Sequence, residues 1–147
     1  MTLAERLNED LKQAMKSQDK IRLNVLRMIR AAIKNQEIER KRALDEGELI
    51  DVLSREIKQR RESLQDFEKA GRTDLAEQVT AEIEIISAYL PEPLTEEEVT
   101  ALVQQTIQET GASSKADMGK VMAALMPKVK GRADGKLVNR IVSQHLS

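Results

Sequence analysis

Cysteine is absent, which excludes disulfides, thiolate metal sites and a cysteine nucleophile, and leaves nothing that demands an oxidising compartment. Aromatic residues are nearly absent: Phe67 and Tyr89 stand alone, so a core must be assembled from Leu, Ile, Val, Met and Ala. That palette suits helix packed on helix better than sheet. Proline occurs only as Pro91, Pro93 and Pro127, leaving the first ninety positions free to form long helices. No hydrophobic run approaches a membrane span, and Glu5, Glu9 and Asp10 interrupt the N-terminal pattern where a secretory peptide needs an unbroken apolar stretch. No membrane association is expected, and the cytoplasm is the expected location. The single histidine, His145, has no cysteine or second histidine at ligand spacing, so no metal motif exists. A Walker loop, a G-x-G-x-x-G turn and a triad around Ser54, Ser63 or Ser143 are missing too. No catalytic residue, metal or cofactor is assigned, and an autonomous enzyme is hard to build from this inventory.

What is present is helical periodicity. Thr2 with Glu5 reads as a capping box, and Leu3, Leu7, Leu11 and Met15 recur every fourth residue in a first helix ending near Ser17. Asp19 caps a second, with Ile21, Val25, Met28, Ile29, Ala32 and Ile33 on one face and a pattern running past Ile38. After a break at Asp45-Glu46-Gly47, a third helix carries Leu49, Leu53, Ile57, Leu64 and Phe67 and closes at Gly71. Thr73 opens a fourth along Leu75, Val79, Ile83, Ile86 and Leu90. Pro91-Glu92-Pro93 then stops the pattern, because proline lacks a donor and restricts the residue before it. Beyond it, Thr95 and Glu98 form a capping box over Val99, Leu102, Val103 and Ile107, with Gly111 as the stop. Ser114 caps a helix expected to reach Leu125 or Met126 and to be ended by Pro127. Asp134 starts the last, over Leu137, Val138, Ile141 and Val142. The expected fold is all-α: an N-terminal four-helix domain at 1–90, a mobile proline hinge at 91–94 and a three-helix tail domain at 95–147.

A net charge of −1 conceals a local separation. Lys115, Lys120, Lys128, Lys130, Arg132, Lys136 and Arg140 face only Asp117 and Asp134, whereas 91–114 carries Glu92, Glu96, Glu97, Glu98 and Glu109 without a basic residue. Glu96, Glu97 and Glu98 fall in a first helical turn, where negative charge meets the positive end of the dipole, and a stabilising role is assigned to them. Gly131 and Gly135 allow close backbone approach, the amides opening the last helix offer donors to a phosphate, and Lys128, Lys130, Arg132 and Lys136 add charge around them. Gly119, inside a helix, costs about 1 kcal/mol relative to alanine. Close helix packing is the expected reason, with approach of a ligand backbone as the other. Met118, Met122 and Met126 read as core filler. A secondary basic face comprises Lys20, Arg27, Lys34 and Lys41 at heptad spacing with Arg30 between them, and Arg55, Lys58, Arg60 and Arg61 could extend it. On the residues alone this face reads as the solvated side of an amphipathic helix.

Several segments together resemble a known family. MGKVM at Met118–Met122 and KGRADGKLVN at Lys130–Asn139 are similar to the tail domain shared by YqeY proteins and the B subunit of the tRNA-dependent amidotransferase. RLNVLRMIRAAIKN (Arg22–Asn35), IKQRRES (Ile57–Ser63), GRTDLAEQ (Gly71–Gln78) and YLPEPL (Tyr89–Leu94) resemble the stand-alone YqeY member. The resemblance implies a part that holds tRNA while other domains perform glutamine-dependent carbon–nitrogen ligation. By position it implicates Gly119, Lys120, Lys130, Gly131, Arg132, Gly135, Lys136 and Asn139 in contacting or shaping a tRNA surface, to which the charge pattern adds Lys128 and Arg140.

The partner expected is therefore tRNA or other structured RNA, recognised by phosphate and shape because stacking side chains are nearly lacking. No DNA specificity is expected. Amidotransferase subunits or a tRNA synthetase would be its protein partners. The alternatives are a protein-interaction module in translation and a non-autonomous contribution to ligation with glutamine as amido donor.

Overall fold

Seven α-helices and one 3-10 turn form all the regular structure, with no strand, as the leucine-rich, aromatic-poor composition predicts. The computed structural model describes residues 1–147, in two units, Met1–Leu90 and Pro91–Ser147.

In the first unit, α1 (Leu3–Ser17) begins where the Thr2 hydroxyl accepts the Glu5 N–H at 3.1 Å, and ends at Gln18 in the left-handed region. Asp19 caps α2 (Lys20–Arg40) through the Arg22 N–H, and a complete capping box of Asp45 and Glu48 opens α3 (Glu46–Lys69). Gly47, expected in a break, lies inside the first turn of α3, because the Asp45 cap starts the helix ahead of it. Gly71, at φ +70°, lets the chain reverse into α4 (Thr73–Ser87). The core is Leu3, Leu7 and Leu11 of α1, Val25, Leu26 and Ile29 of α2, Leu49, Leu53 and Ile57 of α3, Ile86 of α4, and Tyr89 in the turn just beyond it. Two expected core stripes differ. Met15 is 47 % exposed because Ala14 faces inward in its place, and Ile21 and Met28 are 45 % and 53 % exposed although they follow the apolar spacing of α2.

In the second unit, α5 (Glu96–Thr110) opens with the Thr95/Glu98 capping box and stops at Gly111, φ +70°. A 3-10 turn, Lys115–Asp117, leads into α6 (Met118–Val129), and α7 (Gly135–His145) starts at its Asp134 cap. Val99 and Val103 of α5, Val121, Leu125 and Val129 of α6, and Val138, Ile141 and Val142 of α7 close the core. Pro127 does not end α6 as expected: the helix runs on to Val129. Burying Val129 completely offsets the missing proline N–H. Met118 and Met122 pack against this core, whereas Met126 is 38 % exposed and lies outside it.

Candidate nucleic-acid interface

The basic residues of Pro91–Ser147 divide by what they already hold. Lys128 Nζ donates to Glu109 Oε2 at 3.1 Å and to the buried Thr106 hydroxyl at 3.3 Å. That ammonium, with a bond from Gln105, holds the Glu109 carboxyl below its ordinary range. Arg140 Nη2 pairs with Glu96 Oε1 at 3.1 Å. Arg132 spends its Nε on the Glu92 carbonyl at 3.0 Å, while its own carbonyl accepts the Leu94 N–H at 2.8 Å, so this residue pins the proline segment to the loop between α6 and α7. Lys130 is half-buried in the same loop and Gly131 adopts φ +73°, a conformation in which a side chain would be strained.

Lys115, Lys120 and Lys136 are exposed. Lys120 and Lys136 occupy the first turns of α6 and α7, each directly after a glycine. A Cβ added to Gly119 or Gly135 would meet nothing within 4 Å. That corrects the expectation for Gly119: no helix crosses there, and the glycine faces open space. Asp117, ahead of α6, is turned back on the Ser113 and Ser114 amides, which lower its carboxyl pKa, with Lys120 adding to the effect. At α7 the Asp134 carboxylate accepts the Lys136 N–H at 3.1 Å, so one amide expected to receive a phosphate is capped by the chain's own acid. Asn139 is exposed one turn further along α7.

The secondary basic face lies on the first unit. Lys20, Arg27, Arg30, Lys34 and Lys41 are all exposed, and none forms an ion pair. Arg60, expected to extend it with Arg55, Lys58 and Arg61, does not. It is 6 % exposed and bonds Glu56 Oε2 at 2.8 Å and Glu82 Oε1 at 3.0 Å, binding α3 to α4. The Glu56–Arg60 spacing of four was visible in the sequence, but Glu82, far along the chain, was not.

Two further clusters had no sequence signal. The Tyr89 hydroxyl donates to Asp10, and Arg6 lies over the Tyr89 ring at 4.7 Å while donating to the Ala88 carbonyl at 2.9 Å. Burial, then the Asp10 carboxylate, pushes the phenol pKa up, so the hydroxyl stays protonated. Glu48 bonds Arg42, Arg40 and the Asp45 N–H, which hold its carboxyl at about 2. Both clusters fasten helix ends together, and no group of His, Cys, Asp and Glu with metal-binding geometry occurs.

A family model described as Yqey-like protein matches residues 4–146. Among curated relatives, altered inheritance of mitochondria protein 41 of Pyrenophora tritici-repentis is 32 % identical over 142 residues, covering 95 % of this chain and 78 % of its own. The protein of that name from Lachancea thermotolerans is 40 % identical over 111 residues, 74 % of this chain and 59 % of its own. That from Eremothecium gossypii is 41 % identical over 85 residues, 57 % of this chain and 46 % of its own. The chain thus spans about half the length of the latter two. Their names place these relatives in mitochondria, which overturns the expectation of a cytoplasmic location.

Proposed function

The chain belongs to the YqeY family, and from that premise we propose that it binds structured RNA, tRNA in the first instance, through Pro91–Ser147, as an accessory to a tRNA-dependent reaction. The observation that carries this reading is the pair of dipeptides Gly119-Lys120 and Gly135-Lys136. Each stands in the first turn of a helix, with open space at the glycine and an exposed lysine beside it. A phosphate approaching either turn meets a mobile ammonium, backbone uncovered by a side chain and the positive end of a helix dipole.

The engaged cations contribute by exchange. Lys128 and Arg140 sit in ion pairs at the surface, and such pairs are worth at most about 1 kcal/mol, so a phosphate can replace the carboxylate. Arg132 acts differently: through Glu92 and Leu94 it sets the loop that carries Lys130 and Gly131. The Asp134 cap keeps α7 from being an unopposed anion site, and Lys136 beside it restores the balance.

With Lys115, Lys120 and Lys136 as the three unpaired lysines of this unit, tRNA affinity should fall with salt at a log–log slope of about −2 to −3, from roughly 0.7–0.9 per phosphate contact. Anisotropy titrations of labelled tRNA between low and physiological salt read this directly. Lys120→Ala with Lys136→Ala should remove about two units of that slope. A flat response, or equal affinity for tRNA and polyglutamate, defeats the reading.

A further inference from the structure

Helix α2 is apolar on two sides. Its buried side, Val25, Leu26 and Ile29 with Leu23 and Ile33 packed beside them, belongs to the core of Met1–Leu90. On its outward side, the exposed residues Ile21, Asn24, Met28, Ala31, Asn35 and Ile38 recur at alternating steps of three and four. That is the a/d spacing of a coiled-coil seam. It runs for three heptads along a helix roughly 31 Å long at 1.5 Å per residue. Ile38 is 74 % exposed, Met28 53 % and Ile21 45 %, so half of the seam is large apolar side chain in water. Lys20, Arg27 and Lys34 occupy the adjoining g positions within the helix, and Lys41 follows at its left-handed C-cap; all four are exposed and without ion pairs. No acidic residue lies between Asp19 and Glu37.

We propose that this face docks an amphipathic helix of a partner protein, apolar along its own a/d stripe and acidic at the flanking positions. The a/d side chains would bury Ile21, Met28 and Ile38, and the partner's carboxylates would meet the row of Lys20, Arg27 and Lys34. Asn24 and Asn35 within the seam select register, since a polar group at a core position needs a polar partner opposite.

Two other occupants fit less well. A second copy in parallel would set the basic row against the e positions Val25, Ala32 and Glu39, which supply a single carboxylate, and Val25 is already buried. An antiparallel copy would set basic row against basic row, which like-charge repulsion opposes. RNA would satisfy the cations but leave Met28 and Ile38 with nothing to pack against, and the face has no aromatic on which a base could stack. The inference is independent of RNA binding by Pro91–Ser147.

The test is fluorescence anisotropy on the full chain with three synthetic peptides of about three heptads each. The first has an Ile/Leu a/d stripe with Glu at e and g. The second keeps the stripe with Lys at e and g, and the third keeps Glu but replaces the stripe with Ser and Gln. The first should bind at least tenfold more tightly than the others. Met28→Ser with Ile38→Ser should weaken it by about tenfold, and Arg27→Glu with Lys34→Glu should reverse the preference toward the Lys-flanked peptide. All four positions are exposed, and circular dichroism melts matched to the parent establish that the variants fold. Equal binding of the first and third peptides, or charge reversal without reversed preference, overturns the proposal. So does loss of tRNA affinity in Met28→Ser/Ile38→Ser with peptide binding unchanged, which would assign the face to RNA.

Discussion

At Arg60 a guanidinium lies 6 % exposed between two carboxylates from different helices, and its Nη2 also approaches the Met28 sulfur at 3.6 Å. The triad costs desolvation, and its pairing offsets that cost only while all three members remain. Arg60→Ala should therefore destabilise by about 3 kcal/mol, since it leaves Glu56 and Glu82 facing each other without a cation. Adding Glu82→Gln should recover part of that loss; chemical denaturation of the single and double variants measures both. Glu48 supplies a pH signature. Its carboxyl lies at about 2 when folded against an ordinary 4.5, so its contribution is complete above about 4.5 and is lost as pH falls through about 2. Melting temperatures across that window should decline more gently in Glu48→Gln than in the parent. The composition of these clusters was partly legible as local spacing, such as Glu56 to Arg60. Their closure was not, because Tyr89 with Asp10 and Arg60 with Glu82 join positions that only packing brings together.

Among the elements, caps and stops were the most legible features, because a cap is a local contract between neighbouring residues: Thr95 with Glu98, Asp19 with the Arg22 amide, and Gly71 and Gly111 at positive φ all lie within a few positions of the ends they define. Helix α6 departs from its sequence pattern twice. Pro127 falls inside it, held by Val129 in the core, and Gly119 has open space around it instead of a neighbouring helix. The second departure separates stability from binding. Gly119→Ala introduces no clash and should stabilise the chain by about 0.5–1 kcal/mol. It should nonetheless weaken tRNA affinity if a phosphate backbone approaches that turn. Thermal melts and anisotropy on one variant read both effects, and unchanged affinity would remove Gly119 from the interface. In α2 the spacing was real but read to one side only: Ile21 and Met28 fit the helical period, yet the core takes Val25, Leu26 and Ile29.

For the whole molecule, two hydrophobic clusters with no residue in common account for the interior. Leu53 and Leu125 are both fully buried, one in each. Leu53→Ala and Leu125→Ala should each cost about 2–5 kcal/mol. Hydrogen exchange should show the first loss concentrated in Met1–Leu90 and the second in Pro91–Ser147. Uniform loss across the chain from either variant would show that the two clusters unfold as one.

The sequence by itself determined the all-α class, most of the helix ends and the family, because helical period, capping chemistry and ordered motifs are written in short-range order along the chain. Tertiary structure alone decided which charges are spent and which remain. Glu109, Glu96 and Glu82 reach Lys128, Arg140 and Arg60 from 19, 44 and 22 positions away. It also decided that Ile38 stays in water and that Met28 is half exposed, with its sulfur against Arg60. A one-dimensional pattern records that a side chain could be buried or paired, but burial and pairing depend on what the fold carries to within a few ångströms of it.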